Sequence, residues 1–498
     1  MSGGKKIDLV CVYPNNRARA FGVLGNSVAA VTPPLQTALI AGYARGKGFS
    51  VKVIDADAEG LTADQTAARI NELAPLLVCI STDYLNSGDV TKMAAAHDTL
   101  ESIRAHAPGI LTMIEGVVPS AYPEKMLSGE NVDFVLQGEG FSSVTALLAD
   151  LKSGKTRPAK PIGGLWYKDG GHIVRSQHGP MLNDLSEIPM AAWDLLPVER
   201  YRAHHWHCFD RLDRRQPYAS IYTNIGCPYS CTFCNVNAVY GKPTFRARSP
   251  ESVIAEMDIL YNVYKVRNLR IVDNVFTVRK DLTDRLCDLM IARGFDFNIW
   301  VYARVETVDF NLLKKMRRAG VRWVAYGIES SVADVRSAVD KASPMAVIER
   351  AIEDTRRAGI NIVGNFIFGL PNDTMESMGK TLRMALDYNF EYANFYSAMA
   401  YPGTELHEYA RKKGIKLPAS WDGYGQYAKN AMPMGTDTLS PSDVLHFRDE
   451  AFIIYSNSPA YQRLLLTKFG QPAVDYMREI LRHRVIRDPV GSDKEAKV

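Results

Sequence analysis

The chain has 498 residues, 46% hydrophobic and 23% charged, the ordinary composition of a packed globular protein, and its length leaves room for roughly two to four domains. The net charge of +4, from 59 basic and 55 acidic residues, gives no sign of the clustered basic face that nucleic-acid binding needs. No apolar segment reads as a signal peptide or a bilayer span, so a cytoplasmic protein without membrane or nucleic-acid partners is expected. Seven cysteines, Cys11, Cys79, Cys208, Cys227, Cys231, Cys234 and Cys287, are too few and too uneven for a disulfide framework.

In chain order, strand patterns at 7–13, 51–55, 76–81, 110–114 and 133–136 alternate with helical patterns near 35–48, 63–73, 90–106, 122–127 and 143–151. This rhythm specifies a parallel sheet covered by helices, a doubly wound flavodoxin-like domain over residues 1–154. Such a domain binds ligands beyond the carboxyl ends of its strands, here the loops 13–32, 55–60, 81–88, 115–120 and 137–140. Residues 155–215 are rich in Pro, Gly and Arg and read as a connector with a short hairpin at 164–174. A second alternating block, 216–404, has strands near 219–224, 268–273, 297–302, 322–327, 361–368 and 393–399. Six βα units make an open partial barrel rather than a closed eight-stranded one. Within it, Arg317-Arg318-Ala319-Gly320 and Arg356-Arg357-Ala358-Gly359 each end a helix, with glycine suited to the left-handed position that follows. Residues 405–498 are expected to be mainly helical and to fray from Arg487 onward.

Three cysteines fall within eight residues, in Gly226-Cys227-Pro228-Tyr229-Ser230-Cys231-Thr232-Phe233-Cys234-Asn235. The spacing C-x3-C-x2-C follows a predicted strand. Three thiolates hold three irons of a [4Fe–4S] cube and leave the fourth iron open. A zinc site would need four ligands; Cys208 or one of His204, His205 and His207 is a candidate fourth, so the residues alone leave that alternative standing. The segment His204-His205-Trp206-His207-Cys208 itself reads as packing between domains, because adjacent histidines on extended chain point to opposite faces. Trp300, Tyr302, Tyr326, Tyr396 and Tyr401 lie on or near barrel strands, and Trp421-Asp422-Gly423-Tyr424 is placed to cap the barrel mouth.

The cysteine segment resembles the signature of the radical S-adenosylmethionine (SAM) superfamily, placed after the first barrel strand. The resemblance continues through Asp273-Asn274, Tyr302-Ala303-Arg304, Tyr326-Gly327-Ile328-Glu329-Ser330, the stretch from Gly364 to Pro371, and Tyr401-Pro402-Gly403-Thr404. It implies a [4Fe–4S] cluster on Cys227, Cys231 and Cys234, with SAM bound by Phe233 beside the adenine, Arg304 toward the carboxylate, Glu329 on the ribose and Gly364 beside the molecule. It further implies that one electron, from a donor such as flavodoxin or ferredoxin, cleaves SAM to a 5′-deoxyadenosyl radical.

The first domain resembles the cobalamin-binding domain fused to many radical SAM enzymes, through Pro33-Pro34-Leu35, the run from Asp55 to Leu61, Ser81-Thr82, Glu115-Gly116 and Gln137-Gly138-Glu139-Gly140. The resemblance implies cobalamin contacts at Ser81, Thr82, Gly116, Gln137, Gly138 and Glu139. Where many cobalamin proteins carry D-x-H-x-x-G, this chain has Asp55-x-Asp57-x-x-Gly60, so cobalamin is expected without a histidine ligand. Transfer-RNA methylthiotransferases share the domain order but place three cysteines in the first domain; here there are only Cys11 and Cys79, on strands expected to be buried. The implied activity is methyl transfer (EC 2.1.1) to an unactivated carbon of a small molecule, using two SAM per turnover. Oxidative cyclisation or rearrangement, of the magnesium-protoporphyrin ester cyclase type, is the alternative, and a cluster-bearing protein without turnover is a third. No residue is assigned as catalytic.

Overall fold

The computed structural model describes residues 7–21, 29–83, 89–483 and 485–488. Five strands, β1 (Leu9–Tyr13), β2 (Val51–Asp55), β3 (Leu77–Ser81), β4 (Leu111–Glu115) and β5 (Phe134–Leu136), form a parallel sheet in the order β2-β1-β3-β4-β5. All five residues of β1 and of β3 are buried, as a sheet covered on both faces requires. Helices Leu35–Gly46 and Phe141–Lys152 cover one face, and Ala63–Leu73 and Lys92–His106 the other.

The hairpin β6 (Leu165–Asp169) and β7 (His172–Val174) pairs antiparallel with β5 and extends this sheet to seven strands. It therefore belongs to the first layer and not to the connector in which the sequence placed it. Its attachment depends on pairing across the sheet, which local pattern does not carry.

The second sheet holds β8 (Tyr218–Ile221), β11 (Asn268–Ile271), β12 (Asn298–Ala303), β13 (Val321–Glu329), β14 (Asn361–Phe368) and β15 (Tyr392–Ser397), in the order β15-β14-β13-β12-β11-β8 and parallel throughout. Between β8 and β11 lies a two-stranded ribbon, β9 (Asn224–Ile225) and β10 (Arg246–Ala247). Gly320 and Gly359 sit at φ 100° and 75°, the left-handed position read from the sequence. The sheet curls without closing.

Two other parts of the chain complete the barrel. At the strand starts, Trp206 fills the end, its ring 5.2 Å from Trp300, 5.4 Å from Trp323 and 5.6 Å from Tyr392. Next to it, His207 Nε2 lies 2.9 Å from the Asn298 carbonyl, and Asn298 Nδ2 donates back to the His207 carbonyl at 2.8 Å. Asn268 and Asn298 each open a strand, so the histidine-rich segment is a plug. Along β15, helix Pro441–Asn457 packs with Arg448 Nε donating to the Phe395 carbonyl at 2.8 Å. Helices Pro459–Phe469 and Gln471–Arg482 follow. Arg487, where fraying was expected to begin, is instead tied to Asp449 at 2.9 Å; residues 489–498 lie outside the described part.

Candidate active site between the two sheets

The cysteine loop leaves β9 through Gly226, whose φ of 88° and closeness to Thr244 leave no room for a side chain; a Cβ would come within 2.5 Å of the Thr244 carbonyl oxygen. The loop is pinned by backbone hydrogen bonds from Thr244 to Cys227 (3.1 Å), from Thr232 to Val339 (3.3 Å) and from Leu406 to Thr232 (2.9 Å). Cys227 is buried, while Cys231 and Cys234 are half-buried. Burial pushes the thiols of Cys227 and Cys234 up, against the opposing charges of Arg304 and Lys341 on the first and of Lys341 on the second. Among the described residues no three His, Cys, Asp or Glu side chains gather about a single point as one ion would need. Thiolates on three separate irons of a cube stand farther apart than the ligands of one ion. The zinc alternative fails on its fourth ligand too: Cys208 donates to Asn268 Oδ1 at 3.3 Å within the plug. Three thiolates on one pinned loop, with Cys208 engaged elsewhere, fit the three protein ligands that a [4Fe–4S] cube takes. Gly226→Ala is expected to lower iron loading by displacing the loop, read as iron per chain after reconstitution.

Around this loop stand three of the four SAM residues read from the sequence. Arg304 Nη1 lies 3.4 Å from Cys231 Sγ, its Nη2 bonds Glu306 at 3.0 Å, and its guanidinium stacks 4.0 Å from the Tyr229 ring. These contacts hold it beside the cysteine loop. Glu329, at φ 66° at the end of β13, pairs with Lys341. Gly327 makes that pairing possible, since a Cβ there would lie 2.3 Å from Lys341 Nζ. Lys341 also stands 5.9 Å from the Phe233 ring. The sequence reading missed Lys341; its signal lies only in the fold, twelve residues beyond Glu329. Gly364 needs correction: a Cβ on it would meet the Phe390 ring at 2.9 Å and the Phe366 ring at 3.0 Å, so it faces the helix layer. The neighbour on β14 that turns inward is Asn365, which accepts from Asn394 Nδ2 at 2.9 Å.

The six cobalamin residues are placed less uniformly. Ser81 ends β3 with a buried hydroxyl facing the Glu115 carboxylate of β4. Thr82 bonds the Glu115 carbonyl at 2.8 Å and fills the space of Gly116, whose Cβ would come 2.1 Å from Thr82 Oγ1. Gln137 is taken by the Ser120 carbonyl and Trp166, each at 3.1 Å, and the Gly138 amide by Ser120 Oγ at 3.1 Å. Glu139 does not face a ligand groove: its carboxylate holds Arg246 of β10, and both side chains are almost wholly buried. The part of this sheet end that opens outward is instead that of β1 and β2, with Asn16, Asp57, Thr91 and Lys92. Asp57, where D-x-H-x-x-G would have histidine, is paired with Arg17 at 3.2 Å. Asn16 Oδ1 is buried without a hydrogen-bond partner. An unfilled polar atom beyond β1, and aspartate at position 57 in place of histidine, fit a cobalamin that takes no ligand from the loop after β2.

The end of the first sheet and the barrel interior open onto one cavity of about 840 Å³. The first sheet gives it Asn16 and Asp57, the barrel Trp300, Tyr302, Asn394 and Tyr396, and the C-terminal helices Arg448 and Asp449. Tyr401 and Tyr424 line it as well, whereas Tyr326 points away and bonds Thr355 Oγ1 at 2.8 Å. Trp421 and Tyr424 pack against the first domain, so that segment bridges domains more than it caps the mouth.

Two buried carboxyls give the site a pH dependence. Burial pushes Asp55 up to about 7, helped by Asp57, and Glu115 up to about 8. Both are raised above their unfolded values near 4, so their contribution is full below about pH 4 and is lost as pH rises through 7–8. Thermal stability is expected to fall between about pH 4 and pH 8, by on the order of a few kcal/mol. Glu115→Gln, neutral at every pH, should flatten that slope in a series of melting curves.

Residues 221–385 match the radical SAM superfamily and residues 22–148 the B12 binding domain. The chain is a radical SAM enzyme carrying an N-terminal B12-binding domain. It is 29% identical over 422 residues to an uncharacterized methyltransferase of Pyrococcus horikoshii, covering 84% of this chain and 86% of that one. It is 25% identical over 404 residues to the anaerobic magnesium-protoporphyrin IX monomethyl ester cyclase of Rubrivivax gelatinosus, covering 80% and 69%. In fold it is similar to the radical SAM methyltransferase TsrM from Kitasatospora setae, solved with cobalamin and a [4Fe–4S] cluster bound. The TM-score is 0.69 at 17% identity, over 96% of this chain and 99% of that one. No helix among the described residues is long and apolar enough to cross a membrane.

Proposed function

We propose that this enzyme methylates an unactivated carbon of a small molecule or biosynthetic intermediate in the cytoplasm, without nucleic-acid or membrane partners. The carrying observation is the single cavity that the end of the first sheet, through Asn16 and Asp57, and the barrel interior, through Trp300, Tyr302 and Tyr396, line together. When bound, the cluster and SAM supply a radical initiator and cobalamin a methyl carrier. Cys227, Cys231 and Cys234 hold the cluster. Arg304 orients the SAM carboxylate, and Phe233 with the Glu329–Lys341 pair bounds its nucleoside. Ser81, Asn16 and the loops around Gly116 and Gln137 cradle the cobalamin. The plug at Trp206 and the wall of the C-terminal helices keep water out of the space between them. An external donor of the flavodoxin or ferredoxin type brings the electron.

The name of the Pyrococcus relative, matched over most of both chains, favours methyl transfer. The Rubrivivax relative supports a second reading, oxidative cyclisation with the same cofactors. Product mass separates the two: methylation adds one CH2, with 5′-deoxyadenosine and S-adenosylhomocysteine formed in equal amounts. A product without the added CH2 and without S-adenosylhomocysteine would establish the cyclase reading instead. Reduced, fully loaded protein that leaves SAM intact would exclude both.

A further inference from the structure

Two asparagines of the barrel wall bear on the class of substrate, resting on the small-molecule reading above. Asn365 of β14 pairs in register with Gly327 on one side and with Asn394 of β15 on the other, and the two side chains form a relay. The Tyr326 carbonyl can only accept, so Asn365 turns its Nδ2 to it, at 3.0 Å. That leaves Asn365 Oδ1 facing Asn394, and an oxygen there calls for a donor: Asn394 Nδ2 meets it at 2.9 Å. The orientation of Asn394 is therefore fixed from behind, and its Oδ1 is turned to the cavity that the residue lines. Among the described residues nothing donates to that oxygen.

Two phenols stand near it. Tyr396 follows Asn394 by two residues on β15, so both side chains leave the same face of the strand. Burial, with the Tyr302, Tyr427 and Tyr392 phenols around it, pushes the Tyr396 hydroxyl well up, so it stays protonated and neutral. Tyr302 and Tyr396 both line the cavity, and among the described residues neither hydroxyl has a hydrogen-bond partner. The cysteine loop, Arg304 and Glu329 are not among the lining residues. The open oxygen of Asn394 thus faces a space apart from the residues assigned to SAM.

The surroundings select what would meet it. A carboxylate would set its own lone pairs against those of Asn394 Oδ1. An ammonium beside Tyr302 would meet the Arg270 guanidinium, which lies 4.6 Å from the Trp300 ring and 5.7 Å from the Tyr302 ring. A neutral donor meets neither penalty. An amide N–H would satisfy Asn394 but accept nothing from a phenol, whereas a hydroxyl does both. The rings of Trp206, Tyr302, Tyr392 and Tyr396 that line the cavity favour a flat skeleton.

We propose that the substrate is an uncharged ring compound bearing a hydroxyl, which donates to Asn394 Oδ1 and accepts from the Tyr396 phenol.

The test uses protein loaded with iron and cobalamin but without SAM, titrated calorimetrically with 2-naphthol and with its methyl ether, 2-methoxynaphthalene. The ether keeps the rings and an accepting oxygen but has no proton to give. Naphthol is expected to bind about fivefold tighter, the range of one neutral hydrogen bond. Asn394→Leu should erase that preference and leave the affinity for the ether unchanged, and Tyr396→Phe should weaken naphthol binding by severalfold. Equal affinities in the wild type, a preference that survives Asn394→Leu, or no saturable naphthol binding at millimolar concentration would overturn the proposal. Should Asn394→Leu not load iron, Tyr396→Phe carries the decision, and an unchanged naphthol affinity there overturns it. An Asn394→Leu protein that loads iron but has lost affinity for cobalamin or SAM assigns the asparagine to a cofactor and overturns it too. Binding is read here without turnover, so methyl transfer stands or falls separately, on product mass.

Discussion

Replacing Cys227, Cys231 and Cys234 together by alanine is expected to abolish iron loading and SAM cleavage while the fold survives. In the reconstituted wild type, iron should approach about four per chain, and in the variant about zero. Turnover should fall by at least about 10³-fold, because the cluster starts the chemistry that gives enzymes their rate enhancements of 10⁶ and more. The fold should survive because the loop is pinned through backbone groups of Cys227 and Thr232 and by Gly226, none of which the substitutions touch. Each change removes one sulfur from a site where free cysteine behaves as a small apolar group. Thermal melts before reconstitution should agree within about 1 kcal/mol. A variant that still held four irons would mean that other residues ligate the cluster.

The second large effect is expected at Glu139. Its carboxylate accepts from Arg246 Nη1 at 2.9 Å and from the Leu182 amide at 3.1 Å. Glu139→Ala leaves the buried Arg246 guanidinium with the Leu182 carbonyl but without its counter-charge, which costs about 3–5 kcal/mol. Glu139→Ala with Arg246→Met should recover much of that loss, since an apolar side chain of similar length needs no counter-charge. Denaturant melts read the stability and titration with hydroxocobalamin the affinity. If the double variant regains both, Glu139 acts through Arg246. If stability returns and cobalamin binding does not, the carboxylate touches the cofactor itself.

This pair shows what the sequence carried and what it did not. The cysteine spacing, the run of apolar strand residues and the left-handed glycines at 320 and 359 are local signals, and the folded chain agrees with them. Glu139 and Arg246 are 107 residues apart, and no local pattern announces that two loops at separate strand ends will meet. Gly364 went astray for a different reason. Side chains along a strand alternate, so an error of one position exchanges the inner face for the outer, and β13 and β14 shift register between Gly327 and Glu329. The hairpin β6–β7 was visible as a hairpin, but the edge it joins was not. The histidine-rich segment offered metal chemistry by composition. Its use as a plug depends on two asparagines that open β11 and β12, visible only once those strands lie side by side.

The open side of the barrel has one more consequence. The wall closing it comes from helix Pro441–Asn457 and the chain up to Asp488, whereas the cysteine loop, Glu329 and Ser81 all stand on other elements. What the enzyme admits and what chemistry it performs are therefore written in different stretches of sequence. A substitution at Arg448 or Asp449 would reshape that wall without touching the cysteine loop, Glu329 or Ser81. Such a division lets a lineage acquire new substrates by drift in its tail, without reopening the problem of holding two cofactors.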